Sequence, residues 1–169
     1  MKYLFFCIAV LSIAITGCKS DKQKAIELNN KLASINDSLY KRGVNLGVVI
    51  RTSSSTHDFS KIAQYGGEME TFIDAKIVEV NKLENVAGSD KYKDAVAEFL
   101  NFEKKLMRDA LLPFAKLDKE SSQQQINDAM QHLVNVAKDE KKYLMGVRAT
   151  QREFAAKNKI TLINKTNKY

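Results

Sequence analysis

Apolar residues recur at alternating spacings of three and four in four successive stretches, and a chain patterned this way can bury its apolar side only by laying helix against helix. The first stripe is Ala25, Leu28, Leu32, Ile35, Leu39, Leu46 and Val49, broken where Arg42 takes a stripe position. The second is Phe59, Ile62, Gly66, Met69, Ile73, Val80 and Leu83. The third is Tyr92, Val96, Phe99, Leu106, Ala110 and Leu117, widened by Phe102 and Phe114. The fourth is Ile126, Met130, Leu133, Ala137, Leu144, Val147 and Phe154, interrupted by Glu140 and Gln151. With one proline and seven glycines in 169 residues, the composition favours helix and argues against a strand-rich sandwich.

Local signals divide the stretches. The first helix is expected to open near Asp21 and to give way at Thr52-Ser53-Ser54-Ser55-Thr56, whose hydroxyls compete with helical hydrogen bonds. The second opens around Asp58 and stops near Gly88. Ser89 or Asp90 is placed to cap the third, and Ser121 or Ser122 the fourth. Pro113 removes a backbone donor and crowds the carbonyl of Asp109, so the third helix should kink there or finish early. Segments of about 30 residues make rods near 45 Å long, and short connections force neighbours to run antiparallel. The expected fold is all-α, an antiparallel up-down-up-down four-helix bundle over residues 21–158, followed by a basic C-terminal tail at 159–169.

Ahead of the bundle lies a different kind of segment. A short apolar run from Tyr3 follows Lys2 and closes on Ile15-Thr16-Gly17-Cys18, a string that resembles the lipobox of a bacterial lipoprotein signal. The run is too short for a membrane span, which needs about 20 apolar residues. The resemblance implies a signal peptide at residues 1–17 that is removed, leaving a lipidated Cys18 and a very short tether over 18–20. Acylation on both the thiol and the α-amine would make the anchoring stable. Cys7 leaves with the signal, so no thiol remains for a disulfide, a metal or a nucleophile. The place implied is the cell envelope. Lys19 is not the aspartate that retains enteric lipoproteins in the inner membrane, which favours the outer one. Whether the domain faces the periplasm or the exterior stays open, because the acidic run that promotes export is represented only by Asp21.

Charge is distributed unevenly. The formal +7 of the chain gathers past residue 137, where nine basic residues face only Asp139, Glu140 and Glu153. Arg148, Arg152, Lys157, Lys159, Lys165 and Lys168 are the candidates for contact with an anionic surface. If the first helix leaves the membrane at Cys18 and four helices alternate, the fourth returns its basic end to the lipid headgroups. The segment lacks the Gly-rich and aromatic patterns of RNA binders, so an anionic lipid or cell-wall polymer is expected rather than nucleic acid.

The stretches YKDAVAEFLNFEKKLMRDALLPFAK, from Tyr92 to Lys116, and QREFAAKNKITL, from Gln151 to Leu162, resemble helical surface lipoproteins of unknown function from Bacteroidetes and Leptospira. The resemblance implies a helical fold and an envelope location, and it supplies no catalytic residue.

Chemistry-bearing constellations are sparse. Asp128 and His132, four apart, would make a two-ligand metal shelf, but neither paired Glu-x-x-His motifs nor Cys-x-x-Cys-His occur, so no metal or cofactor is expected. Helically spaced methionines read as core filler. Ser53-Ser54-Ser55 lacks a Gly-x-Ser-x-Gly elbow, and with His57 and His132 as the two histidines no nucleophilic triad is expected. Arg42 is expected either to pair with Glu103 or Glu140 or to extend its stem outward. Tyr65-Gly66-Gly67, costly in a helix, together with Pro113 marks a candidate ligand pocket, with close packing or a kink as the plainer reading. The function expected is a non-enzymatic envelope lipoprotein binding a protein partner or an envelope component. The alternative is a carrier of a small ligand or cofactor in a cavity between the helices.

Overall fold

The computed structural model describes residues 20–86 and 88–162. Its regular structure is helical throughout: α1 (Asp21–Thr56), α2 (Ser60–Lys82), α3 (Asp90–Leu111), α4 (Gln123–Val136) and α5 (Glu140–Lys157), with 3-10 turns at Phe114–Lys116 and Ala137–Asp139. The molecule is an all-α helical bundle. The leader and Cys18 lie outside the described residues, as do Lys165 and Lys168.

Ser20 starts α1 by accepting a hydrogen bond from the Gln23 amide at 3.2 Å, and Asp21 adds an acidic group to the first turn, where the helix dipole favours it. The helix then runs through Thr52–Thr56, where the sequence leads one to expect it to give way to a loop or cap. The hydroxyls of Ser54, Ser55 and Thr56 donate to the carbonyls of Ile50, Arg51 and Thr52 at 2.9, 3.1 and 3.0 Å, one turn back. They are satisfied inside the helix rather than against it. Ser53 faces the core and is buried. The stop comes at His57, whose φ of 57° is left-handed.

Two further boundaries differ from expectation. Gly88 does not end α2, which closes at Lys82; it turns the chain into α3 with a φ of 79°. The fourth stretch is not one rod, because the 3-10 turn at Ala137–Asp139 divides it into α4 and α5. Ser122 and Gln125 form a reciprocal capping box at the start of α4. α5 finishes in a Schellman arrangement, with the Ile160 amide bonded to the Ala155 carbonyl at 2.9 Å and the Lys159 amide to Ala156 at 3.2 Å. Lys159 takes the left-handed residue with φ of 53°, and Ile160 packs on the core.

Contacts between helices fix their register. Lys31 pairs with Glu79, and Arg42 lies over the Phe72 ring at 4.4 Å, so α1 and α2 run antiparallel. Lys104–Asp74 at 2.6 Å and Arg108–Glu70 at 3.2 Å do the same for α2 and α3. Tyr92 meets Phe154 and Phe102 stacks on Tyr143, which sets α5 against α3 in the opposite sense. A single core runs through all of them, with Leu32, Ile73, Val96 and Leu100 fully enclosed. Leu133 is only half-buried, on a side of α4 that the core does not cover completely.

The double glycine in α2 separates into two environments. A Cβ on Gly66 would come within 2.5 Å of Leu111 Cδ1, whereas one on Gly67 would meet nothing within 4 Å. Gly67→Ala is therefore expected to stabilise the bundle by about 0.5–1 kcal/mol through helix propensity alone. Gly66→Ala gains the same propensity but displaces Leu111, and should fall below it by about 1 kcal/mol. Urea denaturation of the two variants side by side measures the difference.

Candidate functional site

Pro113 creates the most informative corner of the molecule. A proline has no amide hydrogen to donate, so the Asp109 carbonyl four residues earlier loses its helical partner, and α3 ends at Leu111. The imidazole of His132, reaching from α4, supplies the replacement: its Nε2 lies 3.1 Å from the Asp109 oxygen. A carbonyl accepts only, so Nε2 carries the hydrogen. Beside this bond is a cleft of about 650 Å3 lined by Leu112, Pro113, Leu117 and Ala129, with Asp128, Lys116 and Gln125 at its rim. Leu112 is 58% exposed there.

A second hollow of about 870 Å3 continues along the same seam, sharing Asp109 and Val136 with the first. Its floor is the Phe102–Tyr143 pair, with ring centroids 4.5 Å apart and planes within 21°. Lys105 and Lys142 flank the pair, and Lys142 Nζ sits 5.8 Å from the Tyr143 ring centre. The α3 wall is Ala95, Glu98, Phe102, Lys105, Asp109 and Leu112, and the facing wall is Asp128, His132, Asn135, Asp139, Lys142 and Gly146. Both walls repeat at spacings of three and four, so the two hollows are one groove that follows the helices.

Inside the bundle the unusual group is Glu103. It occupies the stripe position between Phe99 and Leu106, is 5% exposed, and its Oε1 has no hydrogen-bond partner among the described residues. Burial, and after it the negative charge of Glu140, pushes its carboxyl up to about 8. Glu140 opens α5 and is itself raised by desolvation. Gln151, the other interruption of the fourth stripe, donates through Nε2 to the buried Asn29 Oδ1 at 3.0 Å and ties α5 to α1. Burial likewise raises the Tyr92 phenol above its ordinary range, with Asp37 adding to the shift.

The residues singled out from sequence are distributed as follows. Tyr65 lines a shallow hollow of about 150 Å3 with Arg42 and Glu68, Pro113 lines the groove, and Leu111 fills the space beside Gly66. Tyr65, Gly66, Gly67 and Pro113 do not make one pocket, because the room the glycine leaves is taken by a side chain of α3. Arg42 pairs with neither Glu103 nor Glu140; its guanidinium rests on Phe72. Asp128 and His132 share the groove, but among the described residues no three His, Cys, Asp or Glu side chains are placed to hold a metal. Asp128 accepts instead from Gln124 Nε2 at 2.8 Å. Arg148, Arg152, Lys157 and Lys159 are all exposed. The Lys157 side chain crosses over Gly88, so α5 ends beside the α2–α3 connection, at the end of the bundle where α1 begins. Among the described residues no helix is long and apolar enough to cross a membrane.

Compared with protein-family models, curated proteins and solved structures, the chain matches none.

Two measurements follow from these groups. Between about pH 4.5 and 8 the unfolded chain releases the Glu103 proton that the folded one keeps, so stability should fall as pH rises through that window and level off above it. Glu103→Gln should flatten most of that slope and stabilise the protein at pH 8 by a few kcal/mol, of order one per pH unit of displacement. The remaining slope belongs to Glu140. For the groove, His132→Ala should cost about 1 kcal/mol by orphaning the Asp109 carbonyl, and far less in a Pro113→Ala background, where residue 113 regains an amide to donate. A double-mutant cycle reads the coupling directly.

Proposed function

We propose that this chain is a lipid-anchored envelope protein without enzymatic activity, a helical bundle held at one end by Cys18 and presenting its sides to a partner. The observation that carries the reading is the position of Ser20, which caps α1 only two residues after Cys18. An acyl anchor at Cys18 would leave almost no flexible tether between lipid and bundle. The exposed Arg152, Lys157 and Lys159 lie at that same end, where each would add about 1 kcal/mol of attraction to an anionic surface at most, fading beyond the Debye length. Asp21, Glu84 and Asp90 share the end and reduce the net attraction. The contribution is orienting rather than anchoring. The likeness of residues 92–116 and 151–162 to helical surface lipoproteins agrees with this assignment.

A ligand carrier is the weaker reading. The hollows lie on the surface, and the four residues expected to frame an internal pocket are dispersed.

Cys18→Ser should move the protein from the membrane fraction to the soluble one, and intact mass of the wild type should show acyl chains on Cys18. Equal retention of the variant, with no lipid on the wild type, would reject the anchor. The Cys18→Ser protein should bind vesicles containing phosphatidylglycerol weakly and release them as salt rises. Binding that ignores salt would assign the basic end to something other than headgroup attraction.

A further inference from the structure

We propose that the outer face of α5 binds a linear acidic polysaccharide, a chain with carboxylates on its successive sugars, laid along the length of the bundle. Lys141, Met145, Arg148 and Arg152 follow one another at spacings of four, three and four, which places them on one face of the helix. All of them are exposed, Met145 by 58%, and Lys138 stands exposed three residues earlier in the 3-10 turn. Among the described residues none of Lys138, Lys141, Arg148 and Arg152 makes an ion pair. From Lys138 to Arg152 the row is about 21 Å long, at 1.5 Å per residue.

No acid of α5 shares that face. Asp139 lines the groove on the α3 side, and Glu153, seven residues after the groove residue Gly146, turns the same way. Glu140 acts on Glu103 inside the bundle. Gln151 ties the other side of α5 to α1 through Asn29. On α1 the acids are already engaged, Glu27 accepting from Gln23 Nε2 at 3.1 Å and Asp37 acting on the Tyr92 phenol. The positive charge of the row is therefore left to solvent or to a ligand.

Direction and composition select the occupant. The row runs along the bundle, and α5 ends beside the start of α1, so Lys141 stands about 24 Å from the end that a Cys18 anchor would hold at the membrane. That is about three Debye lengths at physiological salt, so a flat anionic surface at that end would attract Arg152 far more than Lys141. A protein partner needs a desolvated apolar or aromatic centre, and the row offers only Met145. A single-stranded nucleic acid needs aromatic side chains to stack on, and this face has none. A nucleic-acid duplex carries one charge per about 1.7 Å of axis, far denser than cations a helical turn or more apart. Each pyranose advances a linear polysaccharide by about one helical turn, 5.4 Å. Carboxylates one sugar apart then match Arg148 and Arg152, about 6 Å apart along the helix, and carboxylates two sugars apart match Lys141 and Arg148, about 10.5 Å apart. Met145, between the latter two, faces the C–H side of the intervening sugar. The exclusion of a membrane surface rests on the Cys18 anchor proposed above, whereas binding a polymer in solution needs no anchor, so either can fail alone.

The experiment is fluorescence anisotropy of end-labelled polymannuronate oligomers titrated with the full-length chain in uncharged detergent micelles. Binding is expected at low salt, weakening as salt rises and as the oligomer becomes too short to span the row. Arg148→Ala and Arg152→Ala should each weaken it about fivefold. Lys141→Glu with Arg148→Glu should weaken it by about tenfold or more, with helicity and melting temperature retained because both side chains are exposed. Lys116→Glu with Lys119→Glu makes the same change in net charge on the α3–α4 connection, away from the row, and should leave binding within about twofold of wild type. Equal losses from the two pairs would mean attraction by net charge alone and overturn the proposal. So would no binding at low salt, and so would tighter binding of poly-glutamate or duplex DNA at equal charge concentration. Retention by phosphatidylglycerol vesicles but not by the oligomer would return the row to the membrane and reject the polysaccharide.

Discussion

Everything in this bundle is assembled on α3, and the constraint that matters is the breadth of its buried face. A stripe of the Tyr92, Val96, Phe99, Leu106 and Ala110 kind would bury one seam, but Leu100 and Met107 are enclosed as well and carry the buried surface further round the helix. α3 consequently meets α2 through two ion pairs, α5 through two aromatic pairs and α4 through His132. No helix with a narrow stripe could serve three neighbours. What α3 leaves uncovered is its outermost strip, and that strip is the wall of the groove.

Pro113 determines where this arrangement stops. Ending α3 early allows Phe114 to turn inward, where it is fully buried, and lets the chain come round to α4 through the 3-10 turn at Phe114–Lys116. The freed Asp109 carbonyl would be costly left alone in a half-enclosed corner. His132 answers that need from the next helix, so a histidine with the look of a ligand or a base has a structural task. Glu103 has no comparable answer. It sits where an apolar residue would complete the stripe, and the fold tolerates it by holding the proton. Stability is thereby made to depend on pH near neutrality at a residue that lines none of the surface hollows described.

Most of the architecture was legible because three-and-four spacing reports burial directly. Leu32, Ile73, Val96 and Val147 are core residues in the sequence and in the structure alike. The early end of α3 at Pro113 and the Ser122 cap were legible for the same kind of reason, each depending on a local backbone rule. The Thr52–Thr56 run was misread because hydroxyl side chains have two outlets, a cap or a bond back to their own helix. Only the neighbouring carbonyls decide between them. The 3-10 turn before Glu140 carries no proline or glycine to announce it. The groove was missed for a different reason: its walls are mostly polar, and a polar helical stripe looks the same whether it faces water or another stripe across a cleft. Glu103 did leave a trace, a gap between Phe99 and Leu106 where the stripe should have continued.

Height is the quantity that ties the fold to the proposed roles. A bundle tethered two residues from its first helix, as the Cys18 anchor would have it, keeps little freedom to tilt or rise, and its copies on one surface would share both direction and level. Surfaces on the flanks of such rods then meet repeatedly in the single register that tethering permits, which raises their effective concentration without any added contact. In free solution the same surfaces would have to find one orientation among many, and the ordering cost would fall on the contact itself. The shorter such a tether would be, the fewer the arrangements that any contact between flanks would have to distinguish.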